Sequence, residues 1–92
     1  MKIAILGAGN LGLSIARGLI TNNSITKLYL TRRSIESIAR WSEYANTHIT
    51  ADNKKAVQES DIIILAVQPS QLGRLLEEIK ELLHDNHVLI ST

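Results

Sequence analysis

Leu6-Gly7-Ala8-Gly9-Asn10-Leu11-Gly12 (LGAGNLG, residues 6–12) places three glycines directly after an apolar run and directly before a stretch with helical spacing. Such a turn has two readings. It is either a plain strand-to-helix turn, or one shaped so that a phosphate can touch the main chain. The spacing G-x-G-x-x-G divides the work among the glycines. Gly7 permits the tight turn, Gly9 leaves room for a pyrophosphate at the backbone, and Gly12 lets helix and strand pack closely. The free N–H groups of the new helix, helped by its dipole, would then face the anion. The motif alone is a weak signal, so its weight depends on the strand before it and the helix after it.

Both neighbours are present. Lys2–Leu6 reads as a buried strand, and a helix follows from about Asn10 to Ile20, with Leu11, Ile15 and Leu19 on one face. Thr21-Asn22-Asn23 should end it. Lys27–Thr31 is a second strand. Ser34 is the expected cap of a helix that turns Ile35, Ile38 and Ala39 inward, with Trp41 a further candidate. His48–Ala51 is a weak third strand, and Asp52 or Asn53 should cap the short helix after it. In Asp61–Val67 the apolar residues run without alternation, which means burial on both faces, as in the centre of a parallel sheet. Pro69-Ser70 opens a helix carrying Leu72, Leu75, Leu76, Ile79, Leu82 and Leu83. Val88–Ser91 is a fifth strand. The alternation implies an α/β fold: a Rossmann-like, doubly wound parallel sheet with right-handed crossovers. Its ligand belongs outside the carboxyl ends of the strands, where the strand order reverses.

Composition narrows the class. The chain has 92 residues, enough for one domain, with 45% hydrophobic and 21% charged residues. A net charge of +1 and 3% aromatics argue against nucleic acid and against a polybasic membrane anchor. There is no cysteine, hence no disulfide, thiolate metal site or cysteine nucleophile, which fits a reducing compartment. The apolar start is too short for a signal peptide or a spanning helix, so a cytoplasmic protein is expected.

An NAD site usually carries Asp or Glu about 20 residues beyond the glycines, accepting from the ribose 2′-OH. Here that neighbourhood reads Thr31-Arg32-Arg33-Ser34. Two guanidiniums beside a hydroxyl suit a 2′-phosphate, since the planar fork matches phosphate and keeps its charge. The bland alternative is a pair of solvated loop cations. The arginines therefore lean toward NADP (NADPH/NADP+) while leaving NADH possible. Other candidates are weaker. His84 and His87 have only Asp85 as a further ligand and read as loop residues rather than a metal pair. His48 has no visible partner. Trp41 and Tyr44 read as packing, and Glu77, Glu78, Lys80 and Glu81 as a solvated helix face. Ser14 and Ser91 have no histidine nearby to activate them. No residue is named as catalytic and none as a metal ligand.

Four stretches together, LGAGNLGLSIARGL, TRRS, DNKKAVQESD and AVQPSQL, resemble pyrroline-5-carboxylate reductase, an enzyme that makes proline by hydride transfer from NAD(P)H to a cyclic imine. The resemblance covers essentially the whole chain and corresponds to that family's N-terminal cofactor domain. It implies that Leu6, Gly7, Ala8, Gly9, Asn10 and Leu11 cradle the pyrophosphate and that Thr31, Arg32 and Arg33 meet the 2′-phosphate. It further implies that Asn53 meets the adenosine end, and that Ala66, Val67, Gln68 and Pro69 border the nicotinamide. Family members typically show Ala-Val-Lys-Pro in the last stretch; here Gln68 stands in place of the lysine.

The family continues into a helical domain that pairs subunits into a homo-oligomer and holds the imine. Thr92 follows a strand with no cap or polar tail, so the chain is expected to be a fragment, incomplete at its C-terminus, that keeps the cofactor contacts and does not turn over alone. Two other readings stay open. One is the cofactor domain of a different NADP-linked reductase, such as a prephenate dehydrogenase, a coenzyme F420-dependent NADP reductase or a β-hydroxyacid dehydrogenase. The other is a non-enzymatic dinucleotide sensor.

Overall fold

The computed structural model describes residues 1–22 and 24–92; Asn23, part of the expected helix stop, lies outside the described residues. Five parallel strands, β1 (Lys2–Leu6), β2 (Lys27–Thr31), β3 (Thr47–Thr50), β4 (Ile62–Leu65) and β5 (Val88–Ser91), form one sheet in the order β3-β2-β1-β4-β5. The order reverses at β1, with β2 on one side of it and β4 on the other.

The pleat of β1 divides the core in two. Ile3 and Ile5 point to one face, where they meet Leu28, Leu30, Ile64, Ala16, Ile38 and Trp41; Ala4 and Leu6 point to the other, with Tyr29, Ile63, Leu65, Ala56, Val57, Leu75 and Ile79. Helix α1 (Asn10–Leu19) and a 3₁₀ helix (Ile35–Glu43) cover the first face, α2 (Asn53–Glu59) and α3 (Pro69–Ile79) the second. The doubly wound parallel architecture expected from the alternation is therefore the observed one. Each fully buried Ile or Leu in these layers contributes about 1.5–3 kcal/mol.

Several local expectations are corrected. In α1 the buried residues are Gly12 and Ala16, while Leu11 is 54% exposed and Ile15 and Leu19 are only half-buried. Small residues bring this helix close to the sheet, and the close approach turns the first large side chain outward. The segment after Ser34 is 3₁₀ rather than α, and Ser34 makes no side-chain cap bond. With three residues per turn, Ile38 and Trp41 share a face and are buried, while Ala39 turns out and Ile35 is 39% exposed. The Arg17 guanidinium lies 5.9 Å from the Trp41 ring centre, and Tyr44 leans on that ring at 5.4 Å.

Strand β3 begins one residue earlier than expected and ends at Thr50. Strand β4 is shorter than Asp61–Val67, so Ala66 and Val67 lie beyond its end. Of the two candidate caps for α2 the structure uses Asp52, whose carboxylate accepts the Lys55 N–H at 3.2 Å. The leucine helix ends as α-helix at Ile79 and tightens to a 3₁₀ turn over Lys80–Leu82. The His84 and His87 rings stack at 3.8 Å, and their Nδ1 atoms accept the N–H groups of Asn86 and His84, bracing the loop into β5. Among the described residues no helix is long and apolar enough to cross a membrane.

Candidate functional site

The cleft forms where topology and turn chemistry coincide. Leaving β1, Gly7 adopts φ +79°, a left-handed conformation natural to glycine, and a Cβ there would lie 2.2 Å from Val67 Cγ1. A Cβ on Gly12 would stand 3.1 Å from Ile5 Cγ2 and 3.3 Å from Ala66 Cβ, so this glycine sets how closely α1 approaches the sheet. Gly9 differs from both, since a Cβ built there meets nothing within 4 Å. The space beside its backbone is open.

Thr31 ties the surrounding loops together. It is 1% exposed, and its hydroxyl accepts the Gly7 N–H at 3.1 Å and donates to Asn53 Oδ1. Its carbonyl accepts the Ala8 N–H at 2.7 Å. The ends of β1 and β2 and the start of α2 thus share one buried side chain. With Oδ1 of Asn53 engaged, its amide keeps N–H donors for other partners. On the other side of β1, the Ala66 N–H donates to the Leu6 carbonyl at 2.9 Å, holding the chain beyond β4 against the glycine turn.

The three helices treat their N-termini differently. Asp52 caps α2, whereas Gly9 at the start of α1 and Gln68 at the start of α3 provide no side-chain cap, and neither first turn contains an acidic residue. The helices that follow β1 and β4 therefore leave first-turn N–H groups and uncompensated positive dipole ends beside the point of strand reversal.

A cleft of about 750 Å³ occupies this place. Of the residues named from sequence, Gly7, Gly9, Thr31, Arg32, Arg33, Asn53, Ala66, Val67 and Gln68 line it. The remaining six do not line its walls. Leu6 and Ala8 are fully buried beneath the turn, and Gly12 is buried in the α1–sheet contact. Asn10 and Leu11 form the exposed first turn of α1, and Pro69 is the first residue of α3. Sequence reasoning missed Ala51, Ser70, Gln71, Arg74, Leu75 and Glu78. The available signal was a polar stripe, Gln71, Arg74 and Glu78, running at helical spacing beside the leucines just after Pro69. Glu78, expected on a merely solvated face, is exposed but borders the cleft; Glu77 and Lys80 pair with each other at 2.6 Å away from it.

Electrostatically the walls carry three guanidiniums, Arg32, Arg33 and Arg74, against the single carboxylate of Glu78. Arg32 donates its own N–H to the Thr50 carbonyl at 3.3 Å, and its Nη1 reaches the Ala8 carbonyl at 3.5 Å, the outer limit of a hydrogen bond. Among the described residues there is no cluster of three or more metal-ligating side chains. The arrangement suits an extended, multiply charged anion with one end at the glycine turn and another at the arginines.

The model of the family described as NADP oxidoreductase, coenzyme F420-dependent, matches residues 2–92. Pyrroline-5-carboxylate reductase 2 of Dictyostelium discoideum is 43% identical over 92 residues, which cover 98% of this chain and 31% of that protein. Among solved structures, a pyrroline-5-carboxylate reductase from Coxiella burnetii superposes with TM-score 0.86 at 32% identity, over 97% of this chain and 34% of that one. The Plasmodium falciparum pyrroline carboxylate reductase, solved with NADP bound, gives TM-score 0.78 at 28% identity, over 99% of this chain and 32% of that one. The chain thus spans about a third of the length of these relatives.

Proposed function

Because this chain belongs to the family of NADP oxidoreductases described as coenzyme F420-dependent, we propose that its cleft binds NADPH as the cofactor site of a pyrroline-5-carboxylate reductase, a cytoplasmic, homo-oligomeric enzyme that reduces 1-pyrroline-5-carboxylate to L-proline. The observation that carries the cofactor reading is that the glycine turn, at the uncapped start of α1, and the arginines after β2 line one cleft. The imine chemistry rests on the named relatives.

The residues divide the work as follows. Gly9 and the first-turn N–H groups of Asn10 and Leu11 receive the pyrophosphate, and Arg32 and Arg33 the 2′-phosphate. Asn53, oriented by Thr31, presents its amide N–H groups toward the adenosine end. Ala66, Val67, Gln68 and Pro69 border the nicotinamide, where Gln68 offers a neutral hydrogen-bonding group in place of a lysine charge. When bound, the reduced nicotinamide would supply a hydride for the carbon of an already protonated imine, whose C=N π pair would pass to the nitrogen. The protein's part in that step is to fix distance and angle. No side chain of the cleft is assigned as an acid, and the cleft is assigned the cofactor and not the imine.

Calorimetric titration of the chain with NADPH and NADH, at about 50 and about 200 mM salt, tests the cofactor reading. Tighter NADPH binding that weakens with salt supports it; equal affinities reduce Arg32 and Arg33 to loop cations. The 92-residue chain is expected to bind without oxidising NADPH in the presence of pyrroline-5-carboxylate. The family's description favours one other reading, a reductase of coenzyme F420, and NADPH-dependent F420 reduction by the whole protein would decide for it.

A further inference from the structure

The cleft holds one guanidinium that the cofactor contacts described above leave without a task. Arg74 lies in the second turn of α3, which follows β4, whereas Arg32 and Arg33 follow β2, on the opposite side of β1. All three line the same cleft. Leu75 beside Arg74 is 5% exposed and packed in the core under α3, so the wall that carries Arg74 is anchored. Among the described residues the one ion pair joins Lys80 to Glu77, and none of the three arginines has a carboxylate partner. Glu78, one turn beyond Arg74, is the acidic residue on this wall.

Resting on the NADPH reading, we infer that Arg74 is a specificity-determining residue: it supplies, from α3, a further guanidinium that holds the 2′-phosphate together with the arginines after β2 and so separates NADPH from NADH. A phosphate monoester carries a charge of about −1.5 to −2 at neutral pH, with three strong acceptor oxygens. A single fork satisfies two of those oxygens and half to two thirds of the charge. Of the two arginines after β2, Arg32 is half-buried and shares its Nη1 with the Ala8 carbonyl at 3.5 Å, so its fork is only partly free for the phosphate. Arg33 is exposed beside it, at the bend after β2. The pyrophosphate, in turn, has the amides of the α1 terminus. The remaining multiply charged group and the remaining unpaired cation therefore match, with Arg74 joining the arginines after β2 from the other side of β1.

The test titrates wild type, Arg74→Ala and Arg74→Lys with NADPH, NADH, adenosine 2′,5′-bisphosphate and 5′-AMP, after circular dichroism shows all three proteins folded. Loss of a charge-assisted fork should weaken NADPH and the bisphosphate about 10- to 100-fold in Arg74→Ala. NADH and 5′-AMP should be unchanged, and the slope of affinity against salt should flatten by about one unit. Arg74→Lys should fall between, because it keeps the charge and loses the planar fork. If Arg74→Ala weakens all four ligands alike, the side chain stacks on adenine and the phosphate assignment is overturned. If it changes none of them while wild type still prefers NADPH, Arg74 is a solvated rim residue and only this inference falls. If wild type binds neither dinucleotide, the cofactor reading falls and takes this one with it.

Discussion

Replacing Gly7 and Gly9 by alanine, one at a time, separates the two readings of the glycine turn. At Gly7 two penalties add. An alanine held at φ +79° costs about 1–2 kcal/mol. Its Cβ would also lie 2.2 Å from Val67 Cγ1, an overlap of the kind that costs about 1–3 kcal/mol when a packed site must yield. Alanine restricts the unfolded chain and returns about 0.4–1 kcal/mol. The net destabilisation is about 1–4.5 kcal/mol, a fall in Tm of roughly 5–35 °C for a domain of this size. Gly9 has φ −84° and ψ −156°, extended backbone open to alanine, with nothing within 4 Å of the new Cβ. Gly9→Ala should therefore melt at or slightly above wild type while binding NADPH about 10- to 100-fold more weakly, because the methyl fills the space assigned to the pyrophosphate. A third protein, Gly7→Ala with Val67→Ala, removes the Cγ1 overlap but leaves the φ cost, and should recover part of the lost Tm relative to Val67→Ala alone. Thermal melts and calorimetry on the same preparations read both quantities. If Gly9→Ala melts as low as Gly7→Ala, or binds NADPH like wild type, the division of labour among the glycines is refuted.

Thr31→Val keeps the shape of a buried side chain but removes the hydroxyl that joins Gly7 to Asn53. Leaving the Gly7 N–H without its partner should cost about 1–3 kcal/mol in a urea melt, with Thr31→Ser close to wild type; equal melts for all three would contradict this role. Glu36 has its carboxyl pKa held below the ordinary value, first by a hydrogen bond from its own backbone and then by the Ser34 hydroxyl at 3.0 Å. Because the folded-state pKa is the depressed one, its stabilising contribution is present above the ordinary carboxylate value and lost as pH falls through the folded value. An NMR titration should show the Glu36 midpoint rise in Ser34→Ala, and an unchanged midpoint would remove Ser34 as a cause.

Most of the architecture was legible because its signals are local. The unbroken apolar run at β4, the alternating strands and helices, and the Gly-x-Gly-x-x-Gly turn each report on a few neighbouring residues, and all agree on a parallel doubly wound sheet. Failures came where spacing alone underdetermines a face. Leu11 fits the helical stripe, yet α1 seats itself on Gly12 and Ala16 and turns Leu11 out. The stretch after Ser34 reads equally well at a period of 3.6 or 3, and burial of Ile38 with Trp41 selects the tighter helix.

The candidate site divides along the same line. The glycine turn, the arginines after β2 and the residues after β4 each announce themselves within their own stretch, because backbone freedom, fixed charge and helix-start chemistry belong to short segments. Their meeting in one cleft comes from the strand order and parallel register, which bring the ends of β2 and β4 to either side of β1. So do the packing of Gly7 against Val67, the Thr31 link between Gly7 and Asn53, and the arrival of Arg74 from α3. Contacts between residues far apart in the chain depend on which strands pair and which face each helix covers, and burial across the whole sheet settles both together.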